Sequence, residues 1–173
     1  DIRPGPLDSA VKNAAKFGIS QHISFFLSDG VQALPRDFDT LVCAGMGADV
    51  MISILEKDPW LQNDHYRLVL QCQSKTPVLR RYLSQTGWTI HREQVLRDGR
   101  FLYTVLEALW NPGEPLTPGQ CHISPALLRG NGPLVPEYIT WVREHLALSV
   151  NNKSDPNPWE MDAYNELCAL EEI

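Results

Sequence analysis

Polar residues and glycines interrupt apolar runs at three places: Ser28-Asp29-Gly30, Ala44-Gly45-Met46-Gly47 and Gln71-Cys72-Gln73. Each closes a run of strand type, and the middle one passes straight into helical spacing from Asp49 to Glu56. If the runs are parallel strands, their ends share one edge and line one crevice. Asp1, just ahead of a helical segment, joins the same set. Carboxylates at successive strand ends suit the hydroxyls and amines of a nucleoside better than phosphates. Gly45 and Gly47 leave the backbone bare, so a ligand can approach it closely. No Gly-x-x-x-x-Gly-Lys-Ser/Thr is present, which removes P-loop chemistry. Each feature also has a plainer reading: Asp29 is a natural turn residue before Gly30, and a glycine turn between strand and helix is commonly structural. Their coincidence at strand ends points to a site.

The elements that would carry these residues follow from periodicity. Pro6 suits the first turn of a helix, and Leu7, Ala10, Val11, Ala14, Ala15 and Phe17 keep helical spacing up to a capping Gly18. Ile23–Leu27 reads as a strand and Val31–Leu34 as a short helical piece. The run from Phe38 to Ala44 has the composition of a strand buried on both faces. A helix to about Lys57, a third strand over Tyr66–Gln73 and a helix from Thr76 to Thr86 follow. Arg97-Asp98-Gly99-Arg100 between two β-rich runs predicts a hairpin. Strands alternating with helices and then a hairpin predict an α/β fold, a mostly parallel sheet with an antiparallel C-terminal edge. Pro112, Gly113, Pro115 and Pro118 mark a boundary. Beyond it, Ile123–Leu128 is a short helical piece. Two apolar stripes, Leu134 to Val150 and Trp159 to Leu170, predict an antiparallel helical hairpin joined by a polar turn at Asn151–Pro158. The expected division is a sheet domain over residues 1–110 and a helical hairpin, or coiled-coil domain, over 119–173.

Composition bounds the function. With 173 residues, 43% apolar and 21% charged, the chain is long enough for one sizeable core and an appendage. No apolar run approaches the roughly 20 residues needed to cross a bilayer, and no signal peptide is visible. The four cysteines are scattered, two of them in apolar strand-like runs, which favours a reducing cytoplasm over a disulfide framework. The five histidines lack metal-ligand spacing, so no structural metal is expected. The net charge of −6 is unevenly spread. Residues 1–64 carry 5 basic and 9 acidic side chains, residues 65–103 carry 7 and 2, and residues 104–173 carry 3 and 10. The basic block is either a solvated face or a surface for a polyanion.

Several segments recur together in one known family: Asp1-Ile2-Arg3-Pro4-Gly5-Pro6-Leu7, Ser28-Asp29-Gly30, Asp39-Thr40-Leu41-Val42-Cys43-Ala44-Gly45-Met46-Gly47, Leu70-Gln71, Leu79-Arg80-Arg81-Tyr82-Leu83, Gly87-Trp88, Glu93, and Asp98-Gly99-Arg100 with Tyr103. In this respect residues 1 to about 110 resemble the TrmK-type tRNA (adenine(22)-N1)-methyltransferases, bacterial enzymes with a Rossmann-like class I sheet. The later helices resemble the family's coiled-coil domain in pattern only. The resemblance implies S-adenosylmethionine as cofactor, tRNA as partner, and methyl transfer to N1 of an adenine. It implies that Asp1 holds the cofactor ribose, that Asp29 and Gly30 lie beside its adenine, and that Ala44, Gly45, Met46 and Gly47 lie beside its methyl group. Gly45, Met46, Gly47 and Gln71 would face the target base, and Lys75, Arg80, Arg81, Arg97 and Arg100 would grip RNA phosphates. Ala48 stands where the family usually has glycine, and Gln71-Cys72-Gln73 where it has Gln-Pro-Asn. The family's first strand, glycine loop and following helix would lie upstream of Asp1. Without them the sheet would be left with unpaired edges and cofactor binding would be crippled. Two other readings remain: a related methyltransferase acting on a small molecule or protein, and a truncated, non-enzymatic interaction module.

Overall fold

The computed structural model describes residues 1–151 and 157–170. The polar turn expected around 152–156 lies outside the described residues. Helix α1 (Pro4–Lys16) has Pro4 and Pro6 in its first turn and ends at Phe17-Gly18, with Gly18 in the left-handed region. Strand β1 (Thr40–Gly47) runs directly into α2 (Ala48–Lys57), and β2 (Arg67–Ser74) leads to α3 (Thr76–Gln85). Strands β3 (Trp88–Asp98) and β4 (Phe101–Trp110) form the hairpin expected from Asp98-Gly99. Helices α4 (Pro118–His122), α5 (Pro125–Gly130), α6 (Val135–Asn151) and α7 (Pro158–Ala169) complete the chain.

The fold is α/β, with one four-stranded sheet in the order β1-β2-β4-β3. The β1–β2 pair is parallel and the pairings of β4 with β2 and β3 are antiparallel. In β2, Leu68, Leu70 and Cys72 alternate inward onto Met51, Leu55, Leu79, Leu83, Trp88 and Leu106, which form the main core. A second core of Ile123, Leu127, Val135, Tyr138, Val142, Leu146, Ala163 and Leu167 joins the last helices.

Three expectations fail at the N-terminal side of the sheet. Residues Ile23–Leu27 are not a strand: among the described residues, ladder-like bonds here run only to Asp1, whose N–H donates to Phe26 O at 3.0 Å and whose carbonyl accepts the N–H of the following Ser28 at 2.9 Å. Residues 31–34 form a turn rather than a helix. Nor is β1 buried on both faces. Among the described residues nothing pairs with its outer edge, and Val42 is 65% exposed. The apolar stripe of α1 is also largely uncovered, with only Ala14 buried.

The sheet and the last helices are joined through a buried ion pair. The Arg80 and Glu93 side chains are both 0% exposed. Arg80 donates from Nη2 and Nε to Glu93 Oε1 at 2.7 and 3.1 Å, and from Nη1 to the carbonyls of Cys121 and His122 at 2.9 and 2.8 Å. Ser124, the N-cap of α5, donates to the other Glu93 oxygen while accepting the Leu127 N–H at 3.0 Å. Burial penalises the Arg80 charge, but Glu93 and Tyr138 more than offset this, holding the guanidinium pKa above its ordinary value. Arg80 therefore cannot grip RNA phosphate, correcting the expectation for that residue: every N–H direction it has is turned into the protein.

Beside this network, burial, with Arg80 second, pushes the His122 imidazole down to about 4. Removing one partner of a buried pair leaves the other charge uncompensated, so Arg80→Ala is expected to cost about 3–5 kcal/mol, read by urea unfolding at neutral pH. Arg80→Met combined with Glu93→Leu should cost clearly less than that single change. His122 adds a pH dependence. The unfolded chain takes up its proton below about pH 6.5, whereas the folded form resists until about 4. Stability should therefore fall as pH drops through that window, and His122→Gln should remove that part of the loss in denaturation curves at pH 7 and 4.5.

Candidate active site

The end of β1 is not a simple exit into a turn. The parallel register runs Ala44–Gln71, Met46–Cys72, Gly47–Ser74, so Gly45 has no partner and forms a bulge. Gly45 sits at φ +78°, the left-handed region where a Cβ is strained. Its N–H, left without a ladder acceptor, is taken by Gln71 Oε1 at 2.8 Å. At Gly47 a Cβ would lie 2.8 Å from Ser74 Oγ, so a side chain there would displace that hydroxyl. The bulge turns Met46 into a groove and leaves the Ala44 and Gly45 backbone exposed.

That groove has a volume of about 840 Å³. Asp1, Asp29, Gly30, Ala44 and Met46 all line it, although they come from separate stretches of chain. Gly45, Gly47 and Gln71 are not part of its lining; they form and brace the bulge at its rim. The Asp1 carboxylate accepts the Arg3 N–H at 2.9 Å, at the entry to α1. Asp29 follows a turn closed by Ser28, whose Oγ accepts the Ala33 N–H at 3.1 Å, and it pairs with Lys57 at 2.6 Å. Periodicity had pointed to none of the residues that α2 adds: Asp49, Val50, Ser53 and Ile54. The cue was available, because a helix starting at a strand end must turn its first-turn residues toward the ligand edge. Asp1, Asp29 and Asp49 make the groove rich in hydrogen-bond acceptors, with Lys57 paired to Asp29 and Lys75 to Asp49. Its walls, among them Val31, Leu41 and Ile54, are apolar. A nucleoside with a short polar tail matches that division, and the volume is within the range of about 300–1,000 Å³ usual for small-ligand sites.

The basic block is largely tied to carboxylates. Lys75 pairs with Asp49 at 2.6 Å, Arg97 pairs with Glu137, and Arg67 and Arg92 share Glu107 at 3.0 and 3.7 Å. Arg81 and Arg100 instead lie over the rings of Trp159 and Phe101. Among the described residues no group of three or more His, Cys, Asp or Glu is placed to hold a metal. No described helix is long and apolar enough to cross a membrane. Cys43, Cys72, Cys121 and Cys168 are all free thiols.

A strand order with a terminal antiparallel hairpin and a ligand groove at the carboxyl edge defines a Rossmann-like class I methyltransferase fold. Solved structures agree. A Streptococcus agalactiae protein of the NADB-Rossmann superfamily superposes with a TM-score of 0.76 at 26% identity, over 98% of this chain and 73% of that one. A Streptococcus pneumoniae protein solved with S-adenosyl-L-methionine gives 0.80 at 23% identity, over 97% and 77%. The family model for TrmK, tRNA (adenine(22)-N(1))-methyltransferase, matches residues 1–163, and the chain belongs to that family. The tRNA (adenine(22)-N(1))-methyltransferase of Bacillus subtilis is 29% identical over 109 residues, 62% of this chain and 46% of that protein. The chain spans about half the length of the curated relatives it matches.

Proposed function

We propose that this protein binds S-adenosylmethionine in the groove and transfers its methyl group to N1 of an unpaired adenine in tRNA, in the cytoplasm. The observation that carries the reading is the convergence of Asp1, Asp29 and Met46 on one groove in a chain of this family. Residues 1–110 are the cofactor-binding part, and the helices of 119–173 serve as a platform for the RNA.

The groove fits the cofactor on its own chemistry. Asp1 and Asp29 accept hydrogen bonds from ribose hydroxyls and the adenine amine, Gly30 leaves room beside that ring, and Ala44 and Met46 flank the methyl end. Bound there, S-adenosylmethionine supplies a methyl group activated on a sulfonium sulfur. Adenine N1 is already a nucleophile, so the protein's task is to align it. N1 lies on the Watson–Crick edge, and the base must leave its pair to be reached. The bulge backbone from Gly45 to Gly47 presents carbonyls, with no side chain on either glycine, to a base arriving from the β2 side. Those carbonyls stabilise the positive charge that the base acquires, as fixed dipoles do without reorganisation. Gln71, with its oxygen on the Gly45 N–H, is a positioning residue that keeps the bulge in register.

Asp29→Ala should weaken S-adenosylmethionine binding about tenfold or more, the order of one charged hydrogen bond, with little change in melting temperature. Calorimetry on the protein and the variant measures it; an unchanged affinity would remove Asp29 from the site. For the RNA, Arg81 and Arg100 are the cations of the block without a carboxylate partner among the described residues. Replacing both with Gln should reduce the slope of log affinity for tRNA against log salt by about 1.5–2, the share of two phosphate contacts. An unaltered slope would take both residues out of the interface.

A further inference from the structure

A second cavity, of about 460 Å³, opens on the same sheet edge and shares no lining residue with the groove. Because β4 runs antiparallel to β2, its first residues lie where β2 ends, and both contribute. Phe101 and Tyr103 come from β4. Tyr138, Trp141 and His145, spaced three and four apart on α6, supply a second set of rings. The cavity begins close to the bulge: its residues Cys72 and Ser74 are the register partners of Met46 and Gly47, one strand spacing of about 5 Å away.

Three features select the occupant. Trp141 is 45% exposed and Phe101 52%, so large rings stand open to solvent in a concave place. The β2 end beneath them is polar: Gln73 and Ser74 are exposed, and His122, also lining the cavity, has a buried Nε2 without a hydrogen-bond partner among the described residues. An apolar peptide side chain would leave those groups unanswered, whereas a heterocycle with ring nitrogens and an amine or carbonyl would meet both the rings and the polar floor. Extruding one base from RNA also deprives its neighbours of a stacking partner, and aromatic side chains can replace it.

We propose that this cavity holds an unpaired nucleobase next in the RNA chain to the methylated adenine, stacked on the rings of β4 and α6. The inference rests on the RNA reading above. It is tested with tRNA transcripts carrying 2-aminopurine immediately before or after adenine 22, the wild-type protein, and the variants Trp141→Ala and Phe101→Ala. Both side chains are exposed enough that removing them leaves the cores closed. Methyl transfer to unlabelled transcript by the wild type is measured first; its absence would overturn the RNA reading and this subsite with it. With an active enzyme, one flanking label should be quenched on binding and the quenching lost in Trp141→Ala. That variant should bind the transcript roughly tenfold more weakly, the order of one lost base stack, with cofactor affinity unchanged by calorimetry. Quenching that persists in both variants, no quenching at either flanking position, or quenching only when the label replaces adenine 22 itself would overturn the subsite alone.

Discussion

The Arg80–Glu93 pair is the constraint on which the rest of the molecule depends. It lies where α3, β3, β4, α4 and α6 meet, and its partners come from all of them: Glu93, Thr104, the carbonyls of Cys121 and His122, and Tyr138. A charge removed from water is tolerated only if its donors are answered, and here both the guanidinium and the carboxylate are met on several sides. The two carbonyls also fix where α4 ends, and Ser124 ties the start of α5 to Glu93. The angle at which the last helices meet the sheet is thereby set by hydrogen-bond geometry as well as by apolar packing. Apolar contacts alone would tolerate small rotations; a fork of directed bonds does not.

That rigidity matters because both cavities lie on the same edge and draw on different parts of the chain. The groove is built from the N-terminal segments, β1 and α2, whereas the aromatic cavity needs α6 to be held over the start of β4. Tyr138 belongs to both the buried network and the cavity wall, so the same side chain couples the fold to the surface. The bulge at Gly45 makes the corresponding link on the other side. A bulge costs one ladder bond, and Gln71 of the neighbouring strand replaces it. The strand pair thus continues to Gly47, with a second shift that skips Gln73 on β2, while Met46 is re-aimed into the groove.

Much of this was legible in the sequence, and what was not has identifiable causes. Helices with a sustained 3.6-residue stripe, and the hairpin announced by Asp98-Gly99, fall within a residue or two of expectation because periodicity and turn chemistry are local. Ile23–Leu27 has strand composition but no strand, since a strand exists only through a partner and the described residues provide only Asp1. Val42 is exposed for the same reason. Asp1, Asp29 and Met46 do converge, but only Met46 sits at the end of a parallel strand; the other two reach the groove through irregular chain, and α2 adds its first-turn residues from the same edge.

The treatment of charge is the deeper lesson. Counted along the chain, residues 65–103 look like a basic face, and Arg80 looks like its neighbour Arg81. The two point opposite ways on α3: Leu79, Arg80, Leu83 and Ser84 are buried, while Arg81 is exposed. What turns Glu93 to meet Arg80 is a register shift between Ile90 and Arg92. Strict alternation from Trp88 and Ile90 would have brought Arg92 inward; one extra residue in β3 brings Glu93 instead. A single irregularity, with no signature of its own in composition, decides whether the interior receives two like charges or an ion pair. Four of the six remaining cations take carboxylates from the flanking acidic blocks, such as Glu137 for Arg97, and only Arg81 and Arg100 lie over rings instead, among the described residues. Charge summed over a stretch of sequence measures what is available, and only the fold determines how much of it faces a partner.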